Sequence, residues 1–157
     1  MREPAKHTQG SSAQGHQFRA PVAKDFESWF ALYEKYAVAV KAEVDRRIGH
    51  IVWAWLMDPQ HPAECVVVIK NEAVVAFAHF RSFPRTLDGN QAGYLDDLYV
   101  CEDQRGSGLG RELIQHVGAL GKARGWSHLR WVTFEDSEAR KLYERIAKRT
   151  DLLTYVL

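Results

Sequence analysis

The chain has 157 residues, 46% hydrophobic, 26% charged and 11% aromatic, the balance of one globular domain rather than of a disordered, collagen-like or membrane protein. Its 21 Lys and Arg stand against 20 Asp and Glu, a formal charge of +1, so no global basic field draws it to nucleic acid or to an anionic membrane. Two cysteines, Cys65 and Cys101, fit neither a disulfide framework nor a Cys-x-x-Cys motif and read as thiols in a reducing cytosol.

Residues 1–15 contain almost nothing apolar and end in Gly10-Ser11-Ser12-Ala13-Gln14-Gly15, a composition that cannot offset its own ordering entropy. A flexible tail is expected there, followed by a single domain over residues 16–157. No apolar h-region follows Met1, so a cytoplasmic protein is expected and a secreted one is not. The longest apolar stretch, residues 51–57, falls far short of the roughly 20 residues needed to span a bilayer.

A short strand is expected at residues 17–19, halted by Pro21. Phe26, Phe30, Tyr33 and Ala37 recur at helical spacing with Trp29 beside them, and Asp25 stands where an N-cap carboxylate would accept a free backbone N–H. Val44, Ile48, Ile51, Val52 and Trp55 repeat the pattern in a second helix, which Asp58-Pro59 should end. Two β-rich runs, residues 65–70 and 73–82, are separated by Asn71-Glu72, a hairpin spacing that lacks the favoured Gly.

A loop is expected over residues 83–93, with Pro84 and Asp88-Gly89 in it. Next come a strand at 94–100, a glycine loop, a helix at 109–123, a strand at 128–134, a helix at 137–148 and a last strand at 152–157. This alternation predicts β-α-β crossover packing, hence an α/β fold with a mixed sheet and helices on both faces.

Between the strand at 94–100 and the helix at 109–123 lies Arg105-Gly106-Ser107-Gly108-Leu109-Gly110-Arg111. Glycines at alternate positions leave backbone N–H groups uncovered at a helix N-terminus, where the helix dipole favours an anion such as phosphate. A Walker loop would need Gly-Lys-Ser/Thr, but Arg111-Glu112 follow the last glycine. A dinucleotide fingerprint would need Gly-x-Gly-x-x-Gly, whereas the spacing here is Gly-x-Gly-x-Gly and only one β-α-β unit follows.

The pattern that remains, Arg/Gln-x-x-Gly-x-Gly/Ala, is met by Arg105, Gly108 and Gly110, and with it the sequence resembles the GNAT superfamily of N-acetyltransferases from about Phe18 to Leu157. The likeness is most specific in Tyr94-Leu-Asp-Asp-Leu-Tyr-Val100, the glycine loop and Ala139-Arg-Lys-Leu-Tyr143-Glu-Arg, and looks closest to the histone- and polyamine-acetylating branch. The resemblance implies a sheet of six to seven strands flanked by about four helices. It also implies a loop of Arg105, Gly106, Ser107, Gly108, Leu109, Gly110 and Arg111 on the pyrophosphate of acetyl-CoA, and a splayed strand whose Leu98, Tyr99 and Val100 backbone pairs with the pantetheine arm. Residues 16–157 would then be one N-acetyltransferase domain, and relatives of this kind are commonly homodimers.

Acetyl transfer to an amine needs no metal, because the thioester is already activated; it needs a neutral amine, a positioned carbonyl and a protonated leaving thiol. Deprotonating a lysine-like amine at pH 7 costs about 4.6 kcal/mol. Asp96 and Asp97 sit in the middle of an apolar strand where carboxylates are costly, so something must compensate them. Strand alternation puts Asp96 on the face of Tyr94, Leu98 and Val100 and Asp97 on the opposite face, unless a bulge intervenes. By resemblance Asp96 is a general base or amine anchor; its alternative is a carboxylate capping loop N–H groups, and Asp97 reads as structural or as a contact to the amine.

Tyr143 falls on the apolar stripe of its helix, a core aromatic by pattern alone, and the resemblance makes it a hydrogen-bond donor or general acid to the coenzyme thiolate. Ser137 stands where many relatives carry an Asn that contacts the coenzyme, and would bridge through water or serve as an N-cap. Tyr33 and Trp53 are candidate walls of an acceptor pocket, with core packing as the alternative for each. The histidines are scattered, with no His-x-His or His-Glu-x-x-His spacing, so no metal site is expected.

The expectation is therefore a metal-free, acetyl-CoA-dependent N-acetyltransferase acting on a polyamine-like small molecule or a protein lysine by direct attack in a ternary complex. The alternatives are an acyl-CoA sensor of the same fold and, further off, a nucleotide-binding oxidoreductase.

Overall fold

The computed structural model describes residues 10–11 and 15–157. In β3 (Glu64–Lys70), Val66 and Val68 face one side of the sheet and Cys65, Val67 and Ile69 the other, and all five are buried. A strand apolar on both faces needs cover on both. Asn71 and Glu72 then take positive φ angles of 48° and 62°, the type I′ geometry that matches strand twist, and the chain returns as β4 (Ala73–Arg85).

β5 (Asn90–Val100) follows, paired antiparallel with β4 as far out as Arg85↔Asn90. The expected loop at 83–93 is thus mostly hairpin, with Pro84 opposite Gln91 inside the ladder. β1 (Gly10–Ser11) and β2 (Gln17–Arg19) extend the other edge, and β6 (Leu129–Arg130) joins β5 in parallel, giving the order β1-β2-β3-β4-β5-β6. Gly10–Ser11 therefore belongs to the sheet, although a flexible tail was expected there; residues 1–9 and 12–14 of that tail lie outside the described residues.

One face is covered by α1 (Phe26–Ala39) and α2 (Arg46–Met57), whose Trp29, Phe30, Leu32 and Trp53 pack on Val67, Val74, Phe77 and Tyr99. The other is covered by α3 (Leu109–Ala123), whose Leu109, Leu113, Ile114 and Val117 pack on Val66, Ala76, Ala78, Phe80 and Leu95. Leu142, Tyr143 and Ile146 of α4 (Arg140–Ile146) join that second cluster.

Asp45 caps α2 through a 2.7 Å bond to the Ile48 N–H. Asp25 does not cap α1. Its buried carboxylate turns back to the Val22 N–H at 2.8 Å and pairs with Arg19 at 2.6 and 3.0 Å, because a 3-10 turn at Ala23–Asp25 precedes the helix.

The last third is shorter in regular structure than its pattern predicts. β6 holds two residues instead of seven, α4 starts at Arg140, and residues 152–157 form no strand. Leu152, Leu153, Tyr155, Val156 and Leu157 are exposed. A β-rich run becomes a strand only where an edge pairs with it, and no described strand lies beside this one.

Candidate active site

The register between β4 and β5 slips at one point: His79 faces Asp97, but Phe80 faces Leu95, so Asp96 is an extra residue on β5. Such a bulge cancels strict alternation. Leu95 and Leu98 pack on the α3 side and Tyr99 on the α1 side, while Asp96 and Asp97 both turn toward β4 residues of the α1 face. Asp97 meets His79 (Oδ2 to Nδ1, 2.8 Å), and both oxygens of Asp96 accept from Arg81 Nε at 3.2 Å. The expectation that the two carboxylates lie on opposite faces, with Asp96 sharing the face of Leu98 and Val100, is corrected by this one inserted residue.

The bulge splits their chemistry. Burial pushes the Asp97 carboxyl upward, but hydrogen bonding from His79 and the Tyr36 hydroxyl outweighs it, and the carboxyl ends below its ordinary range. At Asp96 burial wins over the attraction of Arg81, aided by the negative charge of Asp97, and the carboxyl ends above its ordinary range. Two adjacent carboxylates pushed apart in this way suit one to hold charge and the other to accept a proton.

His79 is buried and its tautomer is fixed by its partners. The Trp29 indole N–H, a donor only, points at Nε2 from 3.1 Å, so Nε2 offers its lone pair and Nδ1 carries the hydrogen given to Asp97. Tyr33 stacks on Trp29 at 5.0 Å and meets the His79 ring edge-on at 5.4 Å. Tyr36, one turn further along α1, donates to Asp97, and its hydroxyl is pushed up by burial first and then by Asp97, Tyr143 and Tyr33. Trp53, a candidate pocket wall or core residue, takes the core position, 4.9 Å from Trp29 and 5.5 Å from Phe26.

β6 pairs with β5 only at Gly93↔Leu129 and Tyr94↔Arg130, so past Tyr94 the β5 edge has no strand beside it among the described residues. The Leu98 to Val100 stretch thus lies on that unpaired edge. Its Tyr99 ring is buried against α1, and the Val100 carbonyl is taken by Arg105 Nε at 3.0 Å, with the guanidinium 5.2 Å over the Tyr99 ring.

Beyond β5 the chain enters α3 through Gly106 (φ 75°) and Gly108 (φ 89°), left-handed positions where an added Cβ would meet nothing, so conformation and not space demands glycine. Gly110 differs: a Cβ there would meet Leu142 at 3.5 Å and Val100 at 3.7 Å, ordinary van der Waals contact, so neither conformation nor space demands glycine. The Ser107 hydroxyl donates to the Gln104 carbonyl at 2.7 Å. Leu109 anchors the turn in the core and Arg111 is exposed, leaving the first-turn N–H groups of α3 as donors for an anion.

Tyr143 projects from α4 against Trp131, edge-on at 5.3 Å, and burial raises its hydroxyl above the ordinary range. Ser137 Oγ accepts the Ala139 N–H at 3.3 Å, a local turn bond at the entry to α4. Sequence reading missed His79, Tyr36 and Arg81. The only signal for them was the stripe Trp29, Tyr33, Tyr36 on one face of α1. No group of three or more potential metal ligands exists among the described residues.

A family model described as "Acetyltransferase (GNAT) family" matches residues 24–147. The chain is 28% identical over 135 residues to a D-amino-acid N-acetyltransferase of Saccharomyces cerevisiae, covering 84% of each. It is similar to the crystal structure of a ribosomal-protein-alanine N-acetyltransferase from Brucella melitensis, with TM-score 0.75, 28% identity and coverage of 90% of this chain and 98% of that one. It also shares its fold with an aminoglycoside N-acetyltransferase in complex with CoA, with TM-score 0.78, 14% identity and coverage of 96% and 97%.

Proposed function

The chain belongs to the GNAT acetyltransferase family, and from that premise we propose that residues 16–157 form one domain that moves acetyl from acetyl-CoA to a primary amine by direct attack. The observation that carries this reading is the bulge, which sets a persistently charged Asp97 beside a more basic Asp96 on the strand whose unpaired edge leads into the glycine loop.

Asp97, held by His79 and Tyr36, anchors the incoming ammonium, and Asp96 takes its proton. The amine nitrogen then forms its bond to the thioester carbonyl carbon as the carbon–sulfur bond breaks, and Tyr143 gives its proton to the departing thiolate and regains one as the nitrogen, now an amide, sheds its second proton. The first-turn N–H groups of α3, with Gly106, Ser107, Gly108 and Arg105, hold the pyrophosphate, and the free edge of β5 at Leu98 to Val100 pairs with the pantetheine arm. Tyr33 lines the amine side. Trp53 supports it from within the core, and Ser137 shapes the entry of α4.

A polyamine-like molecule and a lysine side chain both present the required amine, and so does an amino acid, the acceptor in the name of the yeast relative. A homodimer and a cytoplasmic location belong to the same reading, supported by the exposed apolar residues at 152–157 and by the free thiols of Cys65 and Cys101. Light scattering reads the dimer. A thiol-release screen across amines at several pH values tests the activity: saturable release with a primary amine is expected, and tight acetyl-CoA binding without turnover on any amine would leave a sensor instead.

A further inference from the structure

We propose that Arg81 forms a carboxylate subsite, with Arg130 beside it, so that the acceptor is a free amino acid bound by its ammonium at Asp97 and by its carboxylate at Arg81. This rests on the acetyltransfer reading above and specifies its acceptor.

Arg81 lies two residues beyond His79 on the same face of β4, about 7 Å along the strand. The strand thus sets Arg81 one same-face position beyond the histidine that holds Asp97, so a guanidinium and the Asp97 carboxylate border one stretch of the sheet. The Arg81 Nε–H is used on both oxygens of Asp96, and its guanidinium lies 4.8 Å over the Tyr94 ring. Among the described residues no hydrogen bond or ion pair engages Nη1 or Nη2. The aromatic face and Asp96 thus fix the plane of a half-exposed guanidinium while leaving its two-pronged end, the edge a carboxylate takes bidentately, turned outward.

A second guanidinium reinforces the sign. Arg130 lies 4.6 Å over the Phe83 ring and 5.8 Å over Tyr94, it is exposed, and no described carboxylate pairs with it. Arg85, by contrast, is tied to Asp88 at 3.0 Å. One face of the β4–β5 hairpin therefore runs from the Asp97 carboxylate, through the Asp96–Arg81 pair, to the charge of Arg130, which no described carboxylate offsets. A zwitterion fits that order. A polyamine does not, because its second cation would sit against two guanidiniums.

The test compares kcat/KM for D-alanine and L-alanine, alaninamide, ethylamine and putrescine in the wild-type protein, Arg81→Met and Arg81→Lys. The acid of the better enantiomer should exceed its amide by about 10- to 100-fold through KM, as expected for a charge-assisted pair. That ratio should fall toward one in Arg81→Met and to an intermediate value in Arg81→Lys, which keeps the charge and loses the fork. The ratio is internal to each protein, so a general loss of activity does not move it.

An acid-to-amide ratio near one in the wild type, a ratio that survives Arg81→Met, or a preference for putrescine would overturn the subsite. Calorimetry of alanine and alaninamide with the protein–CoA complex carries the same comparison without turnover. Selective alanine binding with no thiol release from any amine would therefore remove the acetyltransfer reading and leave the subsite standing.

Discussion

Asp96 and Asp97 are neighbours in sequence, share a face and carry opposite shifts, so their amides should fail in different ways. With Asp96→Asn the proton acceptor is gone, and turnover should fall by about 10²- to 10⁴-fold, with the acid limb of the kcat/KM profile lost. Asp97→Asn should raise the acceptor KM. Because the Asp97 charge helps hold the Asp96 carboxyl up, the surviving acid limb should also move to lower pH. A limb that stays in place in Asp97→Asn would break the coupling. Tyr143→Phe should lower kcat while leaving acetyl-CoA affinity, read by calorimetry, nearly unchanged. Equal turnover would remove Tyr143 as the acid. Asp96 was legible in the sequence because a carboxylate inside an apolar strand needs a reason. His79 was not, since its meaning comes from Trp29, 50 positions away, and Asp97, 18 away.

Two glycines, one at the N-cap of α3 and one inside it, show how one residue type serves an element in different ways. Gly108, at φ 89° with open space around it, resists substitution through backbone conformation, whereas Gly121 would drive a Cβ to 2.2 Å from the Trp126 ring, which also blocks Gly93 at 2.2 Å. Gly108→Ala should cost about 1–2 kcal/mol of local strain and appear chiefly as a raised KM for acetyl-CoA. Gly121→Ala should cost about 1–3 kcal/mol of overpacking and appear in the urea midpoint with KM unchanged. The elements with strong periodicity, α1, α2, α3 and the β3–β4 hairpin, were legible because burial on a face imposes its period on the chain. The bulge carried no glycine to mark it, and the C-terminal run was read as a strand because composition does not say whether an edge is available.

Across the whole molecule, a net charge of +1 conceals carboxylates that act on the fold with opposite signs. Asp25 and Asp97 resist burial but are held below their ordinary range, Asp25 by Arg19 and the Val22 N–H and Asp97 by His79 and Tyr36. A carboxyl depressed in the folded state contributes stability that is present above its unfolded value, near 3.9, and is lost as pH falls through its folded value. Unfolding free energy should therefore hold across neutral pH and decline below about pH 4. Asp25→Asn and Asp97→Asn should lower it at pH 7 and narrow that acid decline. Asp96 has the other sign: its raised value means that the ionised form weakens the fold above that pH, so a neutral amide of the same shape removes a penalty. Asp96→Asn should unfold at higher urea than the wild type at pH 7, with the gain disappearing in acid, while acetyl transfer collapses. A carboxylate kept against the stability of its own fold is one retained for its chemistry, and a destabilised Asp96→Asn protein at pH 7 would make it structural instead.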